Sequence, residues 1–438
     1  MNRSRPLHLF QGFGVELEYM IVRRDTLAIL PLADHLLTDR RGRPTRERIC
    51  GPLRWSNELA LHVLELKTNG PVATLDGLAG RFGAAVTEVN RELAGLDACL
   101  MPTAMHPWMA PHTEARLWPH GDKAIYQAYH RIFDCRGHGW TNLQSCHLNL
   151  PFSGDEEFGR LHAAVRLLLP ILPALAASSP FVEGRFSTAL DTRLLVYQQN
   201  QKRLPLIAGA IIPEAVFTRR DYRRRILQPM YRAIAPFDGE RLLRHEWLNS
   251  RGAIARFQRS TIEIRLLDVQ ECPLADQAVL TAVAAVLRAL VEERWQPLAV
   301  QKAWPVAPLA TLLARTIHQG EQARLDDPAY LAAFGFPASA GTAGELWSHL
   351  VATLDGEHPE EFQEVREPLR VMLEQGPLAR RLLNAVGEHP DPAGLRSVYG
   401  ELCACLATNR LFPAPSESFR QPAGPAQNNH QPPTRIEP

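Results

Sequence analysis

The 438-residue sequence lacks the features that would direct it to nucleic acid, a membrane or the cell exterior. Its 48 Lys and Arg residues balance 47 Asp and Glu, so no charge excess favours nucleic acid or an anionic membrane as a partner. Charged and polar residues interrupt the start of the chain every few positions, unlike the apolar run of a secretory signal. We therefore expect a cytoplasmic globular protein whose partners are small molecules.

Long apolar runs and metal-binding cysteine pairs are also missing. The most apolar stretch, 163–181, contains Arg166 and two interior prolines and is shorter than the span of about 20 residues that a bilayer requires. A buried helix explains this stretch better. The seven cysteines form no paired CxxC clusters, and six histidines between 106 and 147 lack HExxH spacing. These patterns predict free thiols and no dedicated zinc site.

Two common catalytic motifs are absent as well. The sequence contains no GxxxxGK[ST] phosphate-binding loop and no GxSxG nucleophile elbow. The GxG at Gly12 and Gly14 stands alone before a predicted strand, where a turn is the commoner explanation than a dinucleotide site. A nucleotide, if used, must therefore bind in another way.

Four short segments alternate polar and apolar residues with the two-residue period of a β-strand. They span 13–22, 59–66, 145–152 and 260–269. Their polar positions are Glu16 and Glu18, Glu58 and Glu65, His147 and Asn149, and Glu263 and Arg265, with Leu267 as a further candidate for the last face.

Helical spacing of apolar residues dominates the rest of the chain. It predicts helices over 75–100, 155–178 and 278–294, and from 274 to 410 no strand pattern is convincing. The segment 101–140 is interrupted by Pro, His and Gly, which predicts a long and functional loop region. Strands that precede helices, without βαβ alternation, predict an α+β fold with an antiparallel β-sheet that forms a cleft and is packed by helices.

We predict three regions along the chain. Residues 1–290 form the catalytic core, and 291–411 form a helical region that completes or flanks it. Residues 412–438 are rich in Pro, Gln and Asn and poor in large apolar residues, which predicts a disordered tail.

The polar strand faces suggest a chemistry if the strands are neighbours. Several carboxylates on one face repel one another, and a divalent cation with oxygen ligands, Mg²⁺ or Mn²⁺, relieves the repulsion. Arg265 on the same face suits the charge of a transferring phosphoryl group. A plainer explanation stays open, because a half-exposed antiparallel strand shows polar residues to water by default.

Five short motifs occur in order between residues 13 and 290: FGVELEYMIV, ELALHVLELKTNGP, SCHLNLPF, ASSPFVEGR and ARFQRSTIEIRLLDVQECP. Together they resemble the glutamate–cysteine ligases and related carboxylate–amine ligases, which share the glutamine-synthetase catalytic fold. The resemblance implies that ATP phosphorylates the γ-carboxylate of glutamate and that an amine, most readily cysteine, then displaces phosphate. ATP would be the co-substrate and Mg²⁺ or Mn²⁺ the metal.

The resemblance also implies roles for single residues. Arg265 and Glu263 would be catalytic, Asn149 and Arg256 would bind substrate, and His147 and Glu65 would contact the nucleotide phosphates. The implied metal ligands are Glu16, Glu18, Glu58, Glu65, His147 and Glu263.

Several points stay open in the sequence. Arg185, Arg193 and Arg203 are candidate cations for the substrate, while Trp55 and Trp140 either line a pocket or pack in the core. The same motifs also fit a ligase that uses another amine, a non-catalytic relative that binds an amino acid or nucleotide, and a phosphotransferase that stops at the phosphorylated product.

Overall fold

The computed structural model describes residues 6–412, which form twelve β-strands and nineteen α-helices. The strands are β1 (Gly14–Arg23), β2 (Glu47–Cys50), β3 (Leu53–Asn57), β4 (Val63–Thr68), β5 (Ala98–Met101), β6 (Ser145–Pro151), β7 (Phe181–Val182), β8 (Arg185–Phe186), β9 (Ala253–Arg256), β10 (Thr261–Asp268), β11 (Arg324–Leu325) and β12 (Gly341–Thr342). The α-helices are α1 (Ala33–Leu36), α2 (Leu78–Ala94), α3 (Pro111–Glu114), α4 (Lys123–Phe133), α5 (His138–Thr141), α6 (Gly154–Leu168), α7 (Pro173–Ala176), α8 (Thr192–Tyr197), α9 (Arg219–Tyr222), α10 (Gln228–Ile234), α11 (Pro273–Val291), α12 (Leu298–Ala303), α13 (Val306–Gln319), α14 (Pro328–Ala332), α15 (Ala343–Glu357), α16 (Pro359–Phe362), α17 (Arg366–Gln375), α18 (Leu378–Val386) and α19 (Pro392–Thr408). Short 3₁₀ turns occur at Leu169–Ile171, Pro205–Ile207, Glu246–Leu248 and Gly320–Gln322, and a π-helical turn at Arg223–Leu227.

Eight of the strands form one antiparallel sheet. Its order is β2-β3-β4-β1-β6-β10-β9, and β5 pairs with the second half of β1. The ten-residue β1 therefore lies at the centre, between β4 and β6. This sheet, with its helices and helical C-terminal region, confirms the predicted α+β fold.

One face of the sheet forms the main core. The apolar positions of β1, such as Val15 and Leu17, and of β6, such as Leu148, are fully buried in one cluster with residues of α2, α6 and α11. Helix α11 is long and apolar enough to cross a membrane by length and composition, yet 89% of it is buried in the protein interior. Because apolar side chains take this face, the alternating polar side chains must project from the other.

Tertiary structure corrects several predicted boundaries. The predicted strand 59–66 overlaps only β4, which begins at Val63, and Glu58 lies in the connection between β3 and β4 rather than on a strand. The predicted helix 75–100 ends at Ala94, and the last residues form β5 because they pair with the end of β1. The loop region 101–140 contains the 11-residue helix α4.

Two further elements differ from the prediction. The helix predicted over 155–178 is broken into α6, a 3₁₀ turn and α7, because Pro170 and Pro173 cannot donate helical hydrogen bonds. In β10, the register shifts between Ile264 and Leu267, and this irregularity pairs Leu267 with the core residue Cys146. Leu267 is therefore buried in the core, and its predicted place on the polar face is wrong.

The helices after 290 continue the same core. Buried residues of α13, α15 and α17 belong to the main cluster, and α18 and α19 pack with β5 in a second cluster. Two short strands, β11 and β12, pair within this region, where only helices were predicted. The division at 290 stays a prediction, and the predicted disordered tail lies outside the described residues except for residue 412.

Candidate active site

The polar side chains of neighbouring strands meet on the open face of the sheet. The strand register places Glu16 of β1 beside Lys67 of β4 and His147 of β6, and it pairs Glu18 with Glu65. Glu263 of β10 lies beside Asn149 of β6. The alternation within each strand and the antiparallel pairing between strands thus bring the predicted residues together.

Glu16 and the β6 side chains form one hydrogen-bonded group. His147 Nδ1 is 3.0 Å from Glu16 Oε2, and Asn149 Nδ2 donates to Glu16 Oε1 at 3.2 Å. Burial alone would raise the pKa of Glu16, but the hydrogen bond and charge of His147 hold it well below its ordinary value. The close contact of β1 with β6 favours glycine at position 14, where an added Cβ would lie 3.0 Å from Asn149 Cβ.

Glu18 is bound by the start of β6. Its Oε2 accepts hydrogen bonds from the backbone N of Ser145 at 2.8 Å and from Ser145 Oγ at 3.0 Å. The same hydroxyl is 2.8 Å from His147 Nε2. Burial opposes a charge on His147, yet the hydrogen bond to Glu16 and the nearby carboxylates raise its pKa. Ser145 therefore links Glu18 to His147, which in turn contacts Glu16.

Glu65 and Glu58 are held close to other carboxylates. Glu65 Oε2 accepts hydrogen bonds from Lys67 Nζ at 2.6 Å and from Ser56 Oγ. Burial and the charge of Glu16 raise the pKa of Glu65 from 4.5 to about 7. Burial and the charges of Glu18 and Glu65 raise the pKa of Glu58 well above its ordinary value. Burial and the repulsion among these carboxyl groups thus outweigh the attraction of Lys67.

Glu263 is clamped between two arginines. Its Oε1 accepts from Arg265 Nε at 2.6 Å, and its Oε2 accepts from Arg256 Nη1 at 2.8 Å. Burial opposes the charge on Glu263, but Arg265 and Arg256 hold its pKa below the ordinary value. Both guanidinium groups line the same cleft as the carboxylates. Arg265 is thereby placed beside the carboxylate group, as predicted.

The carboxylates fit a divalent cation. Among the described residues, Glu16, Glu65 and His147 offer ligand atoms within 4.8 Å of one another, and so do Glu18, Glu58 and Glu65. Glu65 belongs to both trios, which makes two adjacent cation positions geometrically possible. The unrelieved repulsion in the second trio and its oxygen-only donors fit Mg²⁺ or Mn²⁺. Glu263 is outside both trios and is bound to arginines instead.

Two cavities with shared lining residues lie at this part of the sheet. The first has a volume of 490 Å³ and contains the carboxylates, Arg256 and Arg265. The second has a volume of 1090 Å³ and shares Glu16, Lys67 and Arg259 with the first. We call the first the cleft and the second the large cavity.

The structure also places residues that the sequence reasoning missed or left open. Lys67 was missed, although its place two residues after Glu65 on a strand indicates the same face. Arg193 lines the cleft, is bound to Asp268, and has a buried Nη2 without a partner among the described residues. Arg203 lies in an adjoining chamber and Arg185 is exposed, so neither lines the cleft.

The two tryptophans that the sequence left open take different places. Trp140 lines the cleft, whereas Trp55 is fully buried in the core. Of the arginines between 219 and 225, Arg219 lines the large cavity, with its guanidinium 5.4 Å from the ring centroid of Phe257.

Comparison with known proteins assigns the family. The sequence model of glutamate-cysteine ligase family 2 matches residues 12–401, most of the chain. The chain belongs to this family. An uncharacterized protein of Archaeoglobus fulgidus is 39% identical over 264 residues, which cover 60% of this chain and 71% of that protein. The predicted resemblance is thus confirmed.

Solved structures support the same fold. The glutamate–cysteine ligase of Francisella tularensis in complex with AMP matches with a TM-score of 0.59 at 12% identity, covering 93% of this chain and 90% of that one. A bifunctional glutathione synthetase from Pasteurella multocida matches with a TM-score of 0.56 at 15% identity, covering 91% of this chain and 52% of that one. At these identities the likeness concerns the fold alone.

Proposed function

We propose that this protein is an ATP-dependent carboxylate–amine ligase that forms a γ-glutamyl amide, with cysteine as the first acceptor to test. The observation that carries the proposal is the convergence of the two trios of candidate metal ligands with Arg265 in one cleft. Membership of a ligase family and the structural likeness to a glutamate–cysteine ligase in complex with AMP support it.

The metal position follows from the donor atoms. Mg²⁺ or Mn²⁺ would be held by Glu16, Glu65 and His147 and by Glu18, Glu58 and Glu65. When bound, the cation neutralises the carboxylates and the phosphate oxygens of ATP. Glu263 would act indirectly, because its two hydrogen bonds fix the guanidinium groups of Arg256 and Arg265.

The large cavity is the proposed place of ATP. Arg54, Lys67, Arg219 and Arg259 line it and supply positive charge for phosphates. Phe257 adds a ring surface for the base. Its volume of 1090 Å³ is large enough for a nucleotide, and Glu16, which lines both cavities, would then lie near the terminal phosphate.

The proposed chemistry has two steps. A carboxylate oxygen of glutamate attacks the terminal phosphorus of ATP, the bond to ADP breaks, and Arg265 stabilises the transferring phosphoryl group. The amine then attacks the acyl carbon, a C–N bond forms, and the C–O bond to phosphate breaks. The amine proton leaves with the phosphate. Arg193, which lines the cleft and whose Nη2 has no partner among residues 6–412, suits a carboxylate of the substrate.

The test measures ADP and phosphate release together with the mass of the product. Release that requires Mg²⁺, glutamate and an amine at once, with an amide product, supports the proposal. Glu16→Gln should abolish turnover with little change in melting temperature, whereas Glu374→Gln, an exposed control on α17, should leave turnover unchanged. ATP binding without turnover would instead indicate a binding protein. A phosphorylated product without an amide would indicate a phosphotransferase.

A further inference from the structure

Part of the cleft is lined by aromatic side chains rather than by charged ones. Tyr129, Trp140 and Trp247 line this part. The ring centroids of Tyr129 and Trp140 are 5.4 Å apart, and those of Tyr129 and Trp247 are 5.9 Å apart. These rings contact one another and present apolar surface to the cleft, which neither phosphates nor a glutamate carboxylate would use.

Besides Arg193 Nη2, two buried polar atoms of residues that line the cleft have no partner among residues 6–412. One is Tyr197 Oη and the other is Gln201 Oε1. The side chain of Gln201 is oriented by its Nε2, which donates to Ser250 Oγ at 2.9 Å, and the residue is only 2% exposed. A buried carbonyl oxygen without a donor is unfavourable, so a ligand N–H is the natural partner.

A chamber of 760 Å³ adjoins the cleft. Gly139, Trp140 and Asn200 line both spaces, and Asn200 Nδ2 donates to the carbonyl of Gly139. A Cβ at Gly139 would lie 1.6 Å from Asn200 Oδ1, so Asn200 packs directly against the glycine between the two spaces. The cleft therefore borders further space on the side of Trp140.

We propose that Tyr197 and Gln201 bind the nitrogen of the acceptor amine, while Tyr129, Trp140 and Trp247 contact its side group. An N–H that donates to Gln201 Oε1 leaves the nitrogen lone pair free to attack the acyl carbon. The acceptor is then an amine with an apolar side group, and groups larger than the CH₂–SH of cysteine bind more tightly. This inference rests on the proposed ligase function and specifies its second substrate.

The first test is a series of amines at saturating ATP, Mg²⁺ and glutamate. Glycine, cysteine, leucine and phenylalanine are compared by the kcat/KM of ADP release. We expect phenylalanine to exceed cysteine by about tenfold or more, the discrimination that an apolar pocket gives for added apolar groups. Equal or better kcat/KM for glycine or cysteine would overturn the inference while leaving the proposed function intact. Absence of ADP release with every amine would instead contradict the proposed function.

The second test uses variants. Gln201→Leu and Tyr197→Phe should raise the KM of every amine at least fivefold, with unchanged KM for ATP and glutamate. Gln198→Leu, on the same segment but outside the lining of the cleft, is the matched control. Trp247→Ala should lower kcat/KM for phenylalanine and leave kcat/KM for glycine unchanged.

Thermal melting of each variant separates a binding effect from unfolding. Tyr197→Phe removes a single hydroxyl and keeps the ring, so it remains informative if Gln201→Leu does not fold. Equal effects on the KM of all three substrates, or equal losses for phenylalanine and glycine in Trp247→Ala, would overturn the assignment.

Discussion

Replacement of Glu65 by glutamine should stabilise the metal-free protein and weaken metal binding. Glu65 is 4% exposed and belongs to both trios of candidate metal ligands. Its folded pKa of about 7 lies above the ordinary 4.5, so the folded protein holds this proton more tightly than the unfolded chain does. Ionisation of Glu65 therefore destabilises the folded protein. The free energy of unfolding falls as the pH rises above 4.5, and the loss is complete above about 7.

The magnitude follows from the same pKa values. The change from 4.5 to about 7, at about 1.36 kcal/mol per pH unit, corresponds to roughly 3 kcal/mol at pH 8. Glutamine keeps the shape and a carbonyl oxygen for Lys67 and Ser56 but carries no charge. Glu65→Gln should thus raise the unfolding free energy of the metal-free protein at pH 8 by up to about 3 kcal/mol, because the pKa shift already includes the favourable ion pair with Lys67.

Chemical denaturation at pH 8 measures this effect, once with EDTA and once with Mg²⁺. The original protein should gain about 2.7 kcal/mol when Mg²⁺ is present at a hundred times its Kd, and Glu65→Gln should gain much less. At pH 4.5 with EDTA, the two proteins should differ little. Glu374→Gln serves as the exposed control. Destabilisation of the metal-free variant at pH 8, or an equal Mg²⁺ effect on both proteins, would refute the reasoning.

Three further predictions concern other parts of the molecule. Arg265→Lys should lower kcat about 10²–10³-fold with a small change in the KM of ATP, measured by steady-state kinetics, because lysine cannot reproduce the fixed guanidinium contact. Burial and the charge of Arg166 lower the pKa of His162 from 6.5 to about 3. The unfolded chain therefore binds a proton at His162 more tightly than the folded protein does, and the free energy of unfolding falls as the pH drops below 6.5. The original protein should lose about 2 kcal/mol from this group between pH 6.5 and 5, and His162→Phe should remove that loss in urea unfolding. Arg381 and Glu271 form a fully buried ion pair at 2.7 Å, so Arg381→Met should cost about 3–5 kcal/mol, and the added change Glu271→Gln should recover part of it.

The alternation within single strands made part of the site predictable. A strand has a period of two, so Glu16 and Glu18 had to share a face, as did His147 and Asn149. Which strands are neighbours is a long-range property, and the convergence of the four segments became a fact only through the order β4-β1-β6-β10. The family resemblance implied the fold, but the neighbour order of these strands comes from the structure.

The missed features depend on tertiary contacts. Leu267 enters the core through a register shift in β10 that no local pattern reveals. Residues 98–101 continue an apolar pattern but form β5, because pairing with β1 outweighs helix propensity. Glu58 reaches the carboxylates from a connection, and Arg193 reaches the cleft from α8 by binding Asp268. Only packing places these two side chains.

The most direct test of the central claim is mass spectrometry of the product formed from ATP, glutamate and a mixture of amines with Mg²⁺. We expect a γ-glutamyl amide in equal amount to ADP and phosphate, and no amide from Glu16→Gln protein or in the presence of EDTA. ADP formation without an amide, or an amide that forms equally well with Glu16→Gln, would contradict a ligase site built on the convergent carboxylates.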